Sequence, residues 1–215
     1  MTSTAEKHDG PLVAVRSFHE TRKDEIRARL EEFSRVPPSE YFYELVYCLL
    51  TPQSSAGHAD QVVRSLRDAQ FAERGGDPEP LLRNPARYIR FHKTKSRHLL
   101  RAREGFPVIA QAISDSSAAP DLREWLVRTV LGFGYKEATH FLRNIGRNAG
   151  LAILDRHILR NLKRLKVIRT VPTSISRKKY LSIEKQFTRF SQQIGIPLDE
   201  LDLVFWSMET GEIRK

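Results

Sequence analysis

The chain of 215 residues contains only one cysteine, Cys48. A single thiol can form neither an intrachain disulfide nor a cysteine-ligated iron–sulfur cluster. Because Cys48 lies in the apolar run of residues 41–50, we expect it to be buried as a small hydrophobic side chain. None of the seven histidines has the spacing to cysteine that a zinc site requires, so the sequence predicts no structural metal.

Long apolar stretches are also missing. The run at residues 41–50 is too short to span a bilayer, and Glu44 interrupts it. The N-terminus starts with polar residues and has no apolar signal core. These absences favour an intracellular, reduced protein that does not cross a membrane.

Acidic residues are outnumbered by basic ones, which gives a net charge of +10 and a pI of about 9.9. Such a charge favours a polyanionic partner, either nucleic acid or an anionic membrane surface, although a soluble basic protein without such a partner stays open. A membrane surface fits least well, because no predicted helix combines a basic face with a wide apolar face. The hydrophobic content of 40% is ordinary for a folded protein.

Paired strand patterns are absent, and apolar residues recur with helical periodicity along the chain. The sequence therefore predicts an all-α fold, large enough for one domain or two small lobes. Residues 1–10 are predicted to be a disordered lead. The predicted helices cover residues 12–33, 40–50, 56–71, 93–111, 121–130, 136–145, 155–165, 177–195 and 198–208, with short helices at 80–82 and 85–89.

Gly132 and Gly134 form a tight turn between two predicted helices, at about residues 121–146. Glycine lets a backbone approach a phosphate closely, and the first amides of the second helix have no partner within it. With the helix dipole, these amides suit a DNA phosphate. The carbonyls of Arg128, Val130 and Phe133 can also hold a monovalent cation that bridges to phosphate. The alternative is an ordinary corner between two helices.

Lys136 lies at the start of the second helix of this hairpin. A lysine becomes a nucleophile only when its amine is unprotonated, which requires burial or nearby positive potential. The start of a helix in a basic protein offers both, so Lys136 is a candidate nucleophile. The alternative is a solvated lysine that contacts a phosphate.

Asp155 follows Lys136 by 155 − 136 = 19 residues and precedes another predicted helix. An aspartate in this place is a good N-cap, which stabilises the helix by about 1 kcal/mol. A carboxylate fixed by backbone amides also stays ionised, as the stabilisation of a sugar cation requires. The capping role and the catalytic role are compatible.

Residues 131–146, LGFGYKEATHFLRNIG, and residues 151–159, LAILDRHIL, resemble the helix-hairpin-helix DNA glycosylase superfamily. More narrowly, they are similar to its small 8-oxoguanine DNA glycosylase/AP lyase branch, found in archaea and thermophilic bacteria. The resemblance runs from about Glu40 to Lys215 and includes the closing segment 201–215. It implies two helical lobes with a DNA-binding cleft between them. One lobe is expected at residues 38–148 and the other at residues 11–37 with 149–215.

The resemblance also implies a mechanism, in which Lys136 matches the catalytic lysine and Asp155 the catalytic aspartate. The enzyme flips the damaged nucleotide out of the duplex. The lysine then displaces the base at C1′, a Schiff base forms, and β-elimination nicks the strand. No cofactor is required. The implied partner is double-stranded DNA containing 8-oxoguanine, and a monomer is the default state.

Four further residues match positions of the branch. Gln53, in a loop at residues 50–53 that resembles the wedge loop, fills the gap left by the extruded base; the alternative is a loop glutamine without a partner. Phe91 and Trp206 match aromatic positions beside the flipped base, with core positions as the alternative for both. The terminal carboxylate of Lys215 can accept the N7–H that distinguishes 8-oxoguanine from guanine, although chain termini are often frayed.

Two basic runs fit a DNA partner, because clustered positive charge raises DNA affinity without sequence preference. They are Arg87, Arg90, Lys93, Lys95, Arg97, Arg101 and Arg103, and then Arg156, Arg160, Lys163, Arg164, Lys166 and Arg169. Two alternatives stay open: an enzyme of the same fold that acts on another damaged base, and a non-catalytic helix-hairpin-helix DNA-binding module. The pairing of Lys136 with Asp155 argues against the second, because phosphate binding needs neither.

Overall fold

The computed structural model describes residues 6–116 and 118–213, with side chains from residue 10 onward. Within these ranges the chain is helical without any strand, which confirms the predicted all-α class. No helix among the described residues is long and apolar enough to cross a membrane. The α-helices are α1 Glu6–Ser34, α2 Tyr41–Leu50, α3 Ala56–Asp68, α4 Phe71–Arg74, α5 Glu79–Leu82, α6 His92–Asp115, α7 Ala119–Thr129, α8 Tyr135–Asn144, α9 Arg156–Arg164, α10 Arg177–Ile194 and α11 Leu198–Thr210.

Several helix boundaries differ from the sequence prediction, among them the end of α6, which lies at Asp115 rather than at residue 111. Helix α1 begins at Glu6 rather than at residue 12, so residues 6–10 of the predicted disordered lead are helical. The helix continues through Pro11, although proline is best tolerated in the first turn of a helix. The predicted helix 56–71 ends instead at Asp68, since Gln70 adopts a left-handed backbone with φ 53° and a separate helix α4 follows.

The described residues divide into two compact units. The central unit is Arg35–Asn148, and the terminal unit combines Met1–Ser34 with Ala149–Lys215. The predicted boundaries of the two lobes, and the DNA-binding cleft between them, stay a prediction.

Helix α2 forms the core of the central unit, where every residue from 42 to 50 is buried, including Cys48 as expected. It packs against α3, α6 and α8. Glu44 does not interrupt this burial, because its Oε2 accepts a hydrogen bond from Asn144 Nδ2 at 3.0 Å. The Oδ1 atom of Asn144 in turn accepts from Arg143 Nε at 3.3 Å. This buried polar network fixes α8 against α2, since breaking it would leave polar groups unpaired in the core.

Helices α1 and α11 pack along each other in the terminal unit, and α9 and α10 also contact α11. The stacked rings of Phe187 and Phe205 join α10 to α11, with centroids 5.6 Å apart. Glu200 of α11 is buried but paired: its two oxygens bind His19 Nε2 at 2.5 Å and Arg27 Nε at 2.9 Å. Paired in this way, a carboxylate can stay charged inside the unit.

Candidate active site

The turn between α7 and α8 depends on a glycine for two independent reasons. Gly132 has φ +95°, which side chains rarely adopt, and a Cβ at this position would lie 2.3 Å from His98 Nδ1. The amide of Phe133 donates to the carbonyl of Val130 at 3.1 Å and closes the turn. Helix α6 therefore approaches the hairpin through His98, a contact that the sequence pattern alone did not reveal.

Lys136 occupies the second position of α8 and is half-buried. The helix behind it is firmly anchored, because Ala138, Phe141 and Leu142 are fully buried. Among the described residues, its amine has neither a hydrogen bond nor an ion pair. A lysine that is partly shielded from water and unpaired has its amine available for another molecule, which is what a nucleophile requires.

The amide of Gly134 is not free for a phosphate, contrary to the simplest expectation. It donates to Oε2 of Glu137 at 3.2 Å, so α8 has an acidic N-terminal cap. The sequence contains the pattern that predicts this cap, an acid three residues after the capping residue. Phosphate binding through Gly134 therefore requires that Glu137 move, whereas the next amides, of Tyr135 and Lys136, lack partners within the helix.

The predicted cation site at the carbonyls of Arg128, Val130 and Phe133 is compatible with the turn. Arg128 lies in the last turn of α7, where carbonyls have no partner within the helix. The Val130 carbonyl accepts a single backbone hydrogen bond, from Phe133, and keeps its second lone pair. These neutral oxygens suit a weakly bound monovalent ion, and the site stays a prediction.

Asp155 is the N-cap of α9, as its position predicted. Its Oδ1 accepts from the amide of Ile158 at 2.8 Å, and its second carboxylate oxygen makes no hydrogen bond to the described residues. The segment before it, residues 151–154, is buried although it is not helical. This geometry fixes one oxygen and leaves the other for a ligand.

Tyr180 and Glu184 of α10 hold that buried segment in place, and neither was identified from the sequence. The hydroxyl of Tyr180 donates to the Ala152 carbonyl at 2.6 Å and accepts from the Leu154 amide at 3.2 Å. Glu184 Oε1 accepts from the Ala152 amide at 3.0 Å. The backbone leading to Asp155 thus has the partners that a buried irregular segment needs.

Gln53 is exposed on the loop between α2 and α3 and has a left-handed backbone with φ 56°. The loop is bound from inside by Lys95 of α6. Its ammonium donates to the carbonyls of Leu50 at 2.6 Å and Pro52 at 2.7 Å, and to Ser54 Oγ at 3.1 Å. The loop that resembles the wedge loop is therefore held in place by three hydrogen bonds from Lys95.

Phe91 is not a core residue, so that alternative is wrong. Its side chain is 49% exposed, and its φ of 60° is again left-handed. The guanidinium of Arg90 lies 4.9 Å from the ring centroid. An exposed aromatic ring on a strained backbone next to a cation is suited to stacking on a base.

Trp206 is half-buried on α11, between buried Phe205 and buried Ser207. Trp206 is therefore partly accessible, and a role beside a base stays a prediction. Lys215 lies outside the described residues. The structure thus places Gln53, Phe91, Lys136 and the hairpin glycines in the central unit, and Asp155 and Trp206 in the terminal unit.

The first basic run is only partly a surface feature, which corrects the sequence interpretation. Lys95 is buried, and Arg103 donates to the backbone carbonyls of Phe71 and Ala72 at 2.9 and 3.0 Å. In the second run, all six basic residues from Arg156 to Arg169 are exposed. The accessible positive charge is thus more continuous in and after α9 than along α6.

Comparison with known proteins gives one consistent result. The family model described as 8-oxoguanine DNA glycosylase matches residues 26–196. The 8-oxoguanine DNA glycosylase/AP lyase of Fusobacterium nucleatum is 35% identical over 210 residues, covering 94% of this chain and 96% of the relative. The protein of the same name from Korarchaeum cryptofilum is 39% identical over 191 residues, covering 88% of this chain and 90% of the relative.

Solved structures agree with the sequence comparison. The crystal structure of Methanocaldococcus jannaschii 8-oxoguanine DNA glycosylase has a TM-score of 0.85 to this chain at 31% identity, covering 97% of this chain and 99% of that one. The same archaeon's 8-oxoguanine glycosylase/lyase in complex with a 15mer DNA containing 8-oxoguanine has a TM-score of 0.84 at 32% identity, covering 94% and 100%.

Proposed function

Since this chain belongs to the 8-oxoguanine DNA glycosylase family, we propose that it excises 8-oxoguanine from duplex DNA and then nicks the strand. The observation that carries this proposal is Lys136, a half-buried amine without a partner among the described residues, at the start of the helix that follows the glycine turn. Relatives named 8-oxoguanine DNA glycosylase/AP lyase support it over nearly their full length. The solved complex of one relative with 8-oxoguanine DNA supports the same substrate.

Lys136 is the nucleophile in this proposal. Its neutral amine gives an electron pair to C1′ as the N-glycosidic bond breaks, and the departing base takes the bonding electrons and a proton. The C1′–O4′ bond then opens and leaves an imine between the lysine and the sugar. Removal of a 2′ proton expels the 3′ phosphate, so the strand is cut 3′ to the lesion.

Asp155 stabilises the positive charge that develops on the sugar while the base departs. The hydrogen bond from the Ile158 amide fixes the orientation of the carboxylate. The carboxylate does not need to reorganise during the reaction, because backbone contacts of the preceding segment already hold Asp155 in place.

Recognition of the damaged nucleotide is assigned to the remaining predicted residues. Gln53 fills the gap in the duplex, Gly132 and Gly134 approach the phosphate backbone, and Phe91 and Trp206 contact the flipped base. The terminal carboxylate of Lys215 accepts the N7–H of 8-oxoguanine. A normal guanine would leave that acceptor unpaired, at a penalty of about 1–3 kcal/mol.

Borohydride trapping tests the function and the nucleophile together. The protein is mixed with a duplex carrying 8-oxoguanine opposite cytosine, and borohydride reduces any imine to a stable covalent adduct. We expect an adduct with the wild type and none with Lys136→Gln. Lys178→Gln is the matched control, because Lys178 is an exposed lysine of α10 and its loss changes the net charge equally. An adduct that survives Lys136→Gln would overturn the assignment, and none with the wild type would overturn the function.

Asp155→Asn separates catalysis from capping, because asparagine is also a good N-cap. We expect the single-turnover excision rate to fall by about 10²-fold or more, while affinity for an uncleaved lesion duplex and the melting temperature stay close to wild type. Equal losses of rate and binding would instead favour a purely structural role for Asp155.

A further inference from the structure

A buried lysine supports the loop that carries Gln53. Lys95 is only 5% exposed, yet its ammonium has three protons and three acceptors, two carbonyls and one hydroxyl. All three acceptors lie within residues 50–54. A lysine is seldom buried unless each of its donors is satisfied, so its burial in a helix beneath this one loop needs an explanation.

The acceptors are arranged to hold a strained backbone. Leu50 is the last residue of α2, so its carbonyl lies at the negative end of the helix dipole. The left-handed conformation of Gln53 is unfavourable for a residue with a side chain and persists only where its surroundings impose it. The carbonyls that Lys95 binds precede Gln53, and the hydroxyl that it binds follows, so the ammonium constrains the backbone on both sides.

Ser54 extends this support to a second exposed residue. Its hydroxyl oxygen accepts from Lys95 and also from the amide of Arg90 at 3.0 Å. Arg90 directly precedes Phe91, which like Gln53 is exposed and left-handed at its backbone. One hydrogen-bonded pair, Lys95 and Ser54, therefore links Gln53 and Phe91, the two strained surface residues that DNA recognition would use.

We infer that Lys95 is a positioning residue, which acts through Gln53 and, by way of Ser54, through Phe91, to open the duplex at the lesion. This inference rests on the proposed function. Lys95 touches no DNA in this view. It keeps the glutamine side chain in the orientation that fills the gap left by the extruded base, so that the loop is already ordered before DNA binds.

The charges around Lys95 add a further consequence. Burial, with the charge of Lys136 adding to it and that of Glu137 opposing it, lowers the pKa of Lys95 from 10.5 to about 8. Both of these charged neighbours belong to α8, whereas the loop offers only neutral acceptors. Above this pH the neutral amine keeps two protons, so one of its three hydrogen bonds can no longer be donated.

The test compares Lys95→Met with the wild type on two DNA duplexes. In the first, 8-oxoguanine faces cytosine; in the second, it faces a tetrahydrofuran spacer, so that no orphaned base has to be supported. We expect the excision rate to fall by about tenfold or more on the first duplex and by less than about threefold on the second. Equal losses on both duplexes would overturn the inference, and Lys178→Met serves as the control.

A double-mutant cycle shows whether Lys95 acts through Gln53. If it does, Lys95→Met lowers the rate in the wild type but adds little in a Gln53→Ala background; additive losses would contradict the inference. Ser54→Ala provides a milder second variant if Lys95→Met melts at a much lower temperature. Ser54→Ala should likewise slow excision more on the duplex with cytosine opposite the lesion than on the duplex with the spacer.

Fluorescence of 2-aminopurine next to the lesion reports duplex opening without any chemistry. We expect Lys95→Met to reduce the rise in fluorescence that occurs when the enzyme binds. In the wild type, we expect this rise to become smaller as the pH increases through about 8, where the ammonium of Lys95 loses a proton. If the wild type opens the duplex without excising the base, the proposed function fails, and the effect of Lys95→Met on opening still decides the inference. An unchanged opening signal in Lys95→Met would refute it.

Discussion

Replacement of Gly132 by alanine tests whether the hairpin depends on its close approach to α6. The new Cβ would lie 2.3 Å from Nδ1, 2.8 Å from Cε1 and 3.1 Å from Cγ of His98. Because even Cγ is too close, a rotation of the ring about its own axis cannot relieve the clash. The ring has to move as a whole, or the hairpin has to separate from α6.

The chain offers a matched control for the backbone contribution. Gly76 has φ +104°, similar to the +95° of Gly132, but a Cβ there would meet no atom within 4 Å. Gly76→Ala therefore introduces backbone strain alone, which we expect to lower the free energy of unfolding by about 1 kcal/mol. Gly132→Ala adds the overpacking against His98 to this strain, so we expect it to lower the free energy of unfolding by about 3 kcal/mol in total.

Thermal unfolding measures the difference between the two variants. At about 2–4 °C per kcal/mol for a chain of this length, we expect a shift of about 2–4 °C for Gly76→Ala and of about 6–12 °C for Gly132→Ala. Burial, with the charges of Arg97 and Lys95 adding to it, lowers the pKa of His98, so the ring is neutral near pH 7.5 and charge does not enter the comparison.

Truncation of the ring completes the design. In a His98→Ala background, Gly132→Ala should lose no more stability than Gly76→Ala does, because only the backbone strain remains. Equal shifts for the two glycine variants in the wild-type background would show that His98 moves aside freely. The close approach would then be irrelevant to the hairpin.

Two further predictions concern the terminal unit. Tyr180→Phe removes the hydroxyl that binds one buried carbonyl and one buried amide before α9, so we expect a loss of about 1–3 kcal/mol in denaturant unfolding, together with slower excision. A stability equal to wild type would refute this role. Burial raises the pKa of Glu200, but the hydrogen bonds from His19 and Arg27 outweigh burial and lower it overall. The stability that ionised Glu200 contributes is present above its ordinary pKa of 4.5 and is lost as the pH falls through the lower value of the folded state. Glu200→Gln should therefore lower stability at pH 7 by about 2 kcal/mol and make stability fall less steeply as the pH is lowered. If stability falls as steeply in acid as it does for the wild type, the assignment is wrong.

Helix positions were largely predictable because they depend on local patterns. The starts of α8 and α9 lie within one residue of the prediction, since Gly134 and Asp155 are residues that begin helices well. Helix α1 begins six residues before the predicted start and continues through Pro11, although proline is unfavourable beyond the first turn of a helix. Local rules therefore fail where a single residue interrupts an otherwise helical segment.

The supports of the candidate site were not predictable in the same way. Lys95 belongs to a basic run, and nothing in that run distinguishes a buried lysine from its exposed neighbours. Its partners at residues 50–54 are more than 40 positions away in sequence, as the bond to Ser54 shows with a separation of 41. The contact between Gly132 and His98 is likewise long-range. Such contacts follow from how the helices pack, which single-residue patterns do not encode.

An acid near the start of a helix also has different consequences in the two helices that carry the proposed catalytic residues. In α9, Asp155 precedes the helix, uses one oxygen to cap it and keeps the other free among the described residues. In α8, Glu137 lies inside the helix and reaches back to the amide of Gly134. The first arrangement presents negative charge to a ligand, whereas the second occupies an amide that a phosphate could use. Both follow from the same capping rule, so the rule alone does not separate a catalytic carboxylate from a structural one. The two acids differ in what they cover, because Asp155 lies before α9 and binds an amide inside that helix, whereas Glu137 lies in the first turn of α8 and binds the amide of Gly134 in the turn that precedes it.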